Sequence, residues 1–269
     1  MAKSSSVARD ALGNRLLTRR RRQALAVGSV AVTLLLWWLM SALKLIDPVL
    51  LPSPVEVLRS LVKTALDGSL AKHVGASLLR VLEGFALALA VAVPLGITMG
   101  TSQIARGVFE PLLELLRPIP PIAMIPLAIL WLGIGEVSKV FIIMYGAFFP
   151  ILVNTVAGFR EVETVHIRAA QSLGASRLEI FRDVVLRSAF PFIVVGARLG
   201  MSMAFIVLVA AELIASSEGL GYMINDARYN FQTDKIFLGM ACIGVLGFLL
   251  NKGLLEIERR VLKWKLSAG

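Results

Sequence analysis

Apolar residues fall in blocks long enough to cross a bilayer, and that fact leaves the chain very few architectures. A spanning helix needs roughly 20 consecutive, mostly apolar residues. Blocks of about that length lie at 24–43, 79–101, 108–132, 137–158, 190–215 and 236–254. The bilayer core holds no water to satisfy exposed backbone, so only helices and closed barrels span it. Blocks this long read as helices. The expected fold is an all-α membrane protein with six transmembrane helices. Composition agrees, since 57% of the 269 residues are hydrophobic, against about 45–50% in soluble domains.

The net charge is +10. In a soluble chain that would raise nucleic-acid binding. Here the positive charge lies between the apolar blocks, where it sets orientation, so no nucleic-acid partner is expected. With the N-terminus inside, the inner segments hold Arg19 to Arg22, Arg106, Arg117, Arg160, Arg168, Arg177, Arg182, Arg187 and the cluster from Lys252 to Lys265. The outer segments hold Lys44, Arg59, Lys63, Lys72, Lys139, Arg228 and Lys235. The excess of cations on one side places both termini in the cytoplasm. The expected organisation is a basic tail over 1–23, one transmembrane domain over 24–254 and a second basic tail over 255–269. Arg19-Arg20-Arg21-Arg22 before an apolar run looks like a signal peptide. The run to Leu43 is too long for that, and no small-residue cleavage site follows. Cys242 stands alone in an apolar stretch and reads as a small buried hydrophobe.

The segment after the first block carries Leu51-Pro52-Ser53-Pro54, a turn or extended stretch. Val55, Leu58, Leu61, Val62 and Ala65 then recur at helical spacing, with Glu56, Arg59 and Lys63 between them. That pattern predicts a short amphipathic helix on the outer face. The third block is crowded with prolines, Pro118, Pro120, Pro121 and Pro126. A proline removes a helical hydrogen bond and clashes with the preceding turn. Such a segment is either a kinked structural helix or a broken one lining a path or gate, which makes Pro120, Pro121 and Pro126 pathway candidates.

The loop over 159–189 is too long for a simple turn. Thr164 to Leu173 can form one helix, with Gly174 just past its end, where a left-handed residue often sits. Ser176 and Glu179 have the spacing of a capping box and open a second helix toward the fifth block. Small residues at Ala169 and Ala170 leave room for another surface to approach. From the residues alone, a packed connection and a partner site fit equally well.

His166-Ile167-Arg168-Ala169-Ala170-Gln171-Ser172-Leu173-Gly174 resembles the Glu-Ala-Ala motif of permease subunits of ATP-binding-cassette importers. Nine residues after Gly174 come Val184-Val185-Leu186-Arg187, as that motif's spacing requires. Arg168 stands where glutamate is usual, and Arg187 where proline is usual. Leu51-Pro52-Ser53-Pro54, Arg117-Pro118-Ile119-Pro120-Pro121, Trp131 to Lys139, Ala210-Ala211-Glu212-Leu213-Ile214-Ala215 and Gly219-Leu220-Gly221-Tyr222-Met223 are similar to further signatures. They belong to the nitrate, sulfonate and taurine group, and the likeness is closest to taurine and alkanesulfonate permeases. The resemblance implies a type I importer in the bacterial inner membrane. It implies a second, identical permease chain, two cytoplasmic ATPase subunits and an extracytoplasmic substrate-binding protein. It implies docking of the ATPase on Arg168, Ala169, Ala170, Leu173, Gly174, Ala175 and Ser176. The cargo it implies is a small organic anion, taurine or another aliphatic sulfonate, with nitrate as an alternative.

Charges in the spans are costly and usually face a cavity or a partner. Arg80 and Glu83 are three apart and are expected to pair on one face near the outer end of the second span. Arg198 is expected to pair with another helix or to attract an anion, and Glu212 to serve gating or assembly. About 21 Å of helix separates these two, so they cannot pair directly. A transporter working without an ATPase would need a cluster of intramembrane acids, and only Glu83 and Glu212 are available. A membrane enzyme is excluded because His73 and His166 fall on opposite sides. The chain has no phosphate-binding Gly-x-x-x-x-Gly-Lys-Ser/Thr loop. ATP and Mg therefore belong to the partner, and neither cofactor nor metal is expected on this chain.

Overall fold

The computed structural model describes residues 19–47 and 49–261. The expected tails fall largely outside them, since residues 1–18 and 262–269 are not among the described residues. The described helices are α1 (Arg19–Ala42), α2 (Pro54–Leu66), α3 (Ser69–Thr101), α4 (Gln103–Leu116), α5 (Ile125–Leu132), α6 (Glu136–Arg160), α7 (Thr164–Ser172), α8 (Arg177–Ala215), α9 (Leu220–Tyr229) and α10 (Thr233–Val261). A short 3-10 turn, Pro121–Met124, leads into α5. The all-α expectation holds among the described residues.

Helices α3, α6, α8 and α10 are each long and apolar enough to cross a bilayer. The 108–132 block is not the single helix expected. Helix α4 and the Pro121–Leu132 stretch meet at 87°. Pro118, Pro120 and Pro121 each lack a backbone N–H. Pro120, just before Pro121, is extended at φ -63 and ψ 133, whereas Arg117 before Pro118 keeps helical geometry. The apolar part of α1, Val27–Ala42, is shorter than the four long spans. Its side chains are exposed on almost every side, as suits a helix surrounded by lipid rather than by protein. Trp37 ties it to the rest, donating from Nε1 to the Pro52 carbonyl at 3.0 Å and stacking on Phe237.

Helix α6 is the centre of the bundle, packed between α3 and α8. Glycines let these backbones approach closely, as is common between membrane helices. On α3, Gly84, Gly96 and Gly100 lie against Ile143, Thr155 and Phe159 of α6. On the other side, Gly158 of α6 lies against Phe192, and Gly196 and Gly200 of α8 lie against Ile151. Val81, Phe85, Ala88, Ile143, Ala147, Ile151, Met201 and Leu208 fill the core between these seams. The buried hydroxyl of Thr155 donates to the Ile151 carbonyl at 2.7 Å, so a polar group sits there without an unmet bond. Helix α5 buries Ile125 and Ala128 against Ile142 and Val207.

Helix α2 is the amphipathic helix expected. It buries Val57, Ser60 and Thr64 against the bundle and leaves Val55, Leu58, Val62 and Leu66 exposed. An apolar stripe turned outward on a surface helix suits the lipid interface. Its start is fixed by a second capping box. Glu56 N donates to Ser53 Oγ at 3.2 Å, and Ser53 N donates to Glu56 Oε2 at 2.7 Å. Beyond its end, Ser69 donates its hydroxyl and amide to Asp67, which holds that carboxyl below its usual range.

Candidate functional site

The loop between α6 and α8 has a built architecture. Helix α7 ends in a paired capping motif: Gly174 N donates to the Gln171 carbonyl at 3.0 Å, and Ala175 N donates to the Ala170 carbonyl at 3.1 Å. That geometry needs a left-handed residue at its turn, and Gly174 has φ +81. Ser176 then caps α8. Its amide donates to Glu179 Oε2 at 2.7 Å, and Glu179 N donates to Ser176 Oγ at 3.4 Å. The second loop helix and the fifth span are one continuous helix, Arg177–Ala215. Its Ile180–Val185 stretch is π-helical, and α7 packs against that stretch. Both ends of the loop are therefore held by long helices of the bundle.

The sequence-predicted docking residues lie together on this loop. Arg168, Ala169, Gly174 and Ser176 are exposed, and Ala170 and Ala175 are half-buried. Leu173 is 88% exposed, and Val165 and Leu178 on the same loop are also exposed. Ala170 and Gly174 thus have a structural use, because their backbone groups make the cap that aims Leu173 outward. Of the two departures from the motif, Arg187 pairs with Asp183 at 3.5 Å, while Arg168 is an exposed cation.

A buried ion cluster occupies the opposite end of the bundle. The expected Arg80–Glu83 pair does not form. Arg80 is 2% exposed and Glu83 faces outward. The Arg80 guanidinium donates from Nε and Nη2 to both oxygens of Glu136, at 2.5 and 2.8 Å, and from Nη1 to Glu212 Oε1 at 2.7 Å. Nη1 also donates to the Glu218 carbonyl at 2.6 Å. Glu212 accepts further from Ser77 Oγ and from Gly221 N, each at 2.8 Å. Ser77 Oγ in turn accepts from Leu220 N at 2.8 Å. Lys139 donates to Glu136 Oε1 at 2.9 Å. One arginine thus joins α3, α6, α8 and the start of α9. Nearby, Lys72 donates to Glu218 and holds that carboxyl below its usual range.

Glu212, expected to serve gating or assembly, is a structural anchor here, and Glu136 is a partner that the sequence did not single out. A carboxyl group this deeply buried needs hydrogen-bond donors for both oxygens, and Glu212 has them. The glycines of Gly219-Leu220-Gly221 are explained by the same carboxylate. A Cβ on Gly221 would lie 2.6 Å from Glu212 Cβ, and one on Gly219, whose φ is +121, would lie 2.3 Å from Glu212 Oε1. Gly221→Ala is expected to lower stability by about 1–3 kcal/mol through overpacking, read as an earlier unfolding midpoint in detergent.

A cleft lies where the bent segment meets α6 and α8. It encloses about 330 Å³ and is bounded by Arg117, Pro121, Phe149, Pro150, Asn154 and Met203, among others. Of the proline candidates, Pro121 lines this cleft, whereas Pro120 and Pro126 are exposed elsewhere on the bend. Arg198 is not in it. Arg198 pairs with Glu258 of α10 at 3.6 Å, the interhelical pairing expected. Arg117, which the sequence groups with the inner charges, is the cation the structure brings to the cleft.

Comparison with known proteins gives a consistent picture. Residues 92–260 match the family model described as binding-protein-dependent transport system inner membrane component. The chain is 42% identical over 249 residues to the taurine transport system permease protein TauC of Escherichia coli K12, covering 91% of this chain and 90% of that one. It is 37% identical over 237 residues to the putative aliphatic sulfonates transport permease protein SsuC of Bacillus subtilis, covering 88% and 86%. In structure it resembles a chain of the MetNI methionine ABC transporter in an inward-facing conformation. The TM-score is 0.60 at 21% identity, over 70% of this chain and 94% of that one.

Proposed function

The chain belongs to the family of binding-protein-dependent transport system inner membrane components, and from that membership we propose how its parts divide the work. It is a transport subunit of an ATP-binding-cassette importer, and it works with an ATPase and a substrate-binding protein. In this reading the cargo is taurine or another aliphatic sulfonate, because relatives of that description cover nearly the whole chain. The chain pairs with a second copy of itself and keeps both termini in the cytoplasm, where two ATPase subunits dock on the α6–α8 loop. ATP and Mg stay with those subunits.

The carrying observation is the loop itself. Leu173, Val165 and Leu178 are apolar and exposed on a doubly capped element. That element is fixed at both ends to helices that run the length of the bundle. Exposed apolar anchors on a rigid base are what a docking contact needs. Movement imposed on the loop passes directly into α8, since no flexible joint separates them. An alternating-access cycle needs that mechanical continuity.

Leu173→Glu tests the proposal. Truncating or charging an interface anchor costs about 2 kcal/mol or more, roughly a 30-fold loss of affinity. The substituted permease is expected to fold normally, lose its ATPase during purification and lose ATP-driven taurine uptake. Retention of the ATPase with full uptake would remove the loop from the docking role.

A further inference from the structure

The cleft at the bend holds an arginine with no counter-charge. Arg80 has Glu136 and Glu212, and Arg198 has Glu258. Arg117 has no ion pair, and its side chain no hydrogen bond, among the described residues. It stands at the end of α4, where the chain turns through 87°. Phe149 to Asn154, the cleft wall opposite, belong to the middle of α6. A second cavity of about 210 Å³ lies on the other side of Arg117 and is bordered by Glu110, Glu114 and Arg160. Neither acid is within ion-pair distance of Arg117. An unpaired cation in a spanning segment is costly unless it lines water or meets a ligand. Broken helices near mid-membrane are a recurrent way to build a transport site.

We infer that Arg117 is the anion-recognising residue of the transport path, taking the oxyanion of a small organic anion in the cleft at the bend. The planar guanidinium suits a sulfonate, to which it can donate two parallel bonds. A cleft of about 330 Å³ lies at the small end of the ligand-site range of roughly 300–1,000 Å³. Asn154 borders the same space, but its amide already donates to the Pro150 carbonyl at 2.8 Å. The remaining walls are apolar, from Ile119, Phe149, Val153, Leu199 and Met203. One charge in an apolar cleft selects by sign and size rather than by detailed shape. The next cavity sets Glu110 and Glu114 beside Arg117 and Arg160, so its charges balance, whereas Arg117 is the one charged residue among the described residues lining the cleft. The inference rests on the importer reading above.

The test uses the complete transporter in proteoliposomes, with ATPase and binding protein, and labelled taurine as the probe. Arg117→Gln is expected to lower kcat/KM for uptake about 10- to 100-fold, the worth of one charged hydrogen-bond pair. ATP hydrolysis and subunit assembly are expected to stay unchanged. Arg117→Lys, which keeps the charge but not the fork, is expected to fall between. In a Cys242→Ser background, Arg117→Cys is expected to be rescued by a cationic methanethiosulfonate reagent and not by an anionic one. Taurine is expected to slow that labelling. Unchanged uptake in Arg117→Gln, or labelling indifferent to taurine, would overturn the assignment of Arg117 alone. Should Arg117→Gln fail to assemble, the labelling result decides. A wild-type complex that imports neither taurine, an alkanesulfonate nor nitrate under ATP would instead overturn the importer reading.

Discussion

Arg80→Met is expected to lower the stability of the permease by about 3–5 kcal/mol, the usual effect of removing one partner from a buried ion pair. The Glu212 carboxylate is fully buried. Without Arg80 it keeps only Ser77 and the Gly221 amide as donors. That is too little for a carboxyl group this far from water. The measurement is the unfolding midpoint of the detergent-solubilised protein, together with the yield of folded protein. The double substitution Arg80→Met/Glu212→Leu is expected to recover much of the loss, because replacing both charges removes the uncompensated one. An Arg80→Met protein as stable as the wild type would mean that the cluster contributes no stability. Equal instability in the single and double substitutions would mean that packing, not charge, is what Arg80 supplies. Glu136 is the milder site, being more than half exposed and still paired with Lys139.

Gly158→Leu is expected to have the second-largest effect, about 3 kcal/mol, at the top of the range for overpacking. A Cβ there would lie 2.6 Å from Phe192 Cβ and 2.9 Å from the Ala189 carbonyl. The carbonyl belongs to a helix backbone and cannot move aside by rotating a side chain. The outcome is a forced separation of α6 and α8 near the loop they flank. The expected signature combines a lower unfolding midpoint with ATP hydrolysis that no longer drives uptake. Gly158→Ala is expected to show the same changes at reduced size. Full coupling in Gly158→Leu would show that the loop does not need its two supports held close together.

Helices were legible in the sequence wherever one helix carries the whole signal. Apolar run length located α3, α6, α8 and α10. The Gly174 turn and the Ser176–Glu179 box were readable because a cap is a local arrangement of backbone and neighbouring side chains. The interhelical pairing of Arg198 followed from the cost of a lone charge at depth. Arg80 was misassigned because three-residue spacing reveals only partners on the same helix. Its true partners are 56 and 132 residues away. Glu136 was passed over because it sits in a turn signature rather than in an apolar block. The prolines announced a break in the third block, but they cannot say at what angle the halves meet. Arg117 was grouped with the inner charges for the same reason, because its neighbourhood is created by that angle. On α2 the apolar periodicity was legible, but not the direction it faces, since lipid and protein both accept an apolar surface.

The π-helical stretch at Ile180–Val185 sets how the loop is aimed. A π turn accommodates an extra residue where an α turn would not. In an α-helix one residue corresponds to about 100° of rotation. The part of α8 before Ile180 is therefore out of phase, by about a quarter turn, with the part that packs along α6. A single helical wheel drawn from Arg177 to Ala215 would assign Leu178 to the wrong side. Loss or gain of one residue in that stretch would turn Leu178 and the Ser176 cap about the helix axis and so disturb the packing of α7 and of Phe159 against it. The azimuth of the loop is thus set by one turn of α8 together with the contacts α7 makes on it.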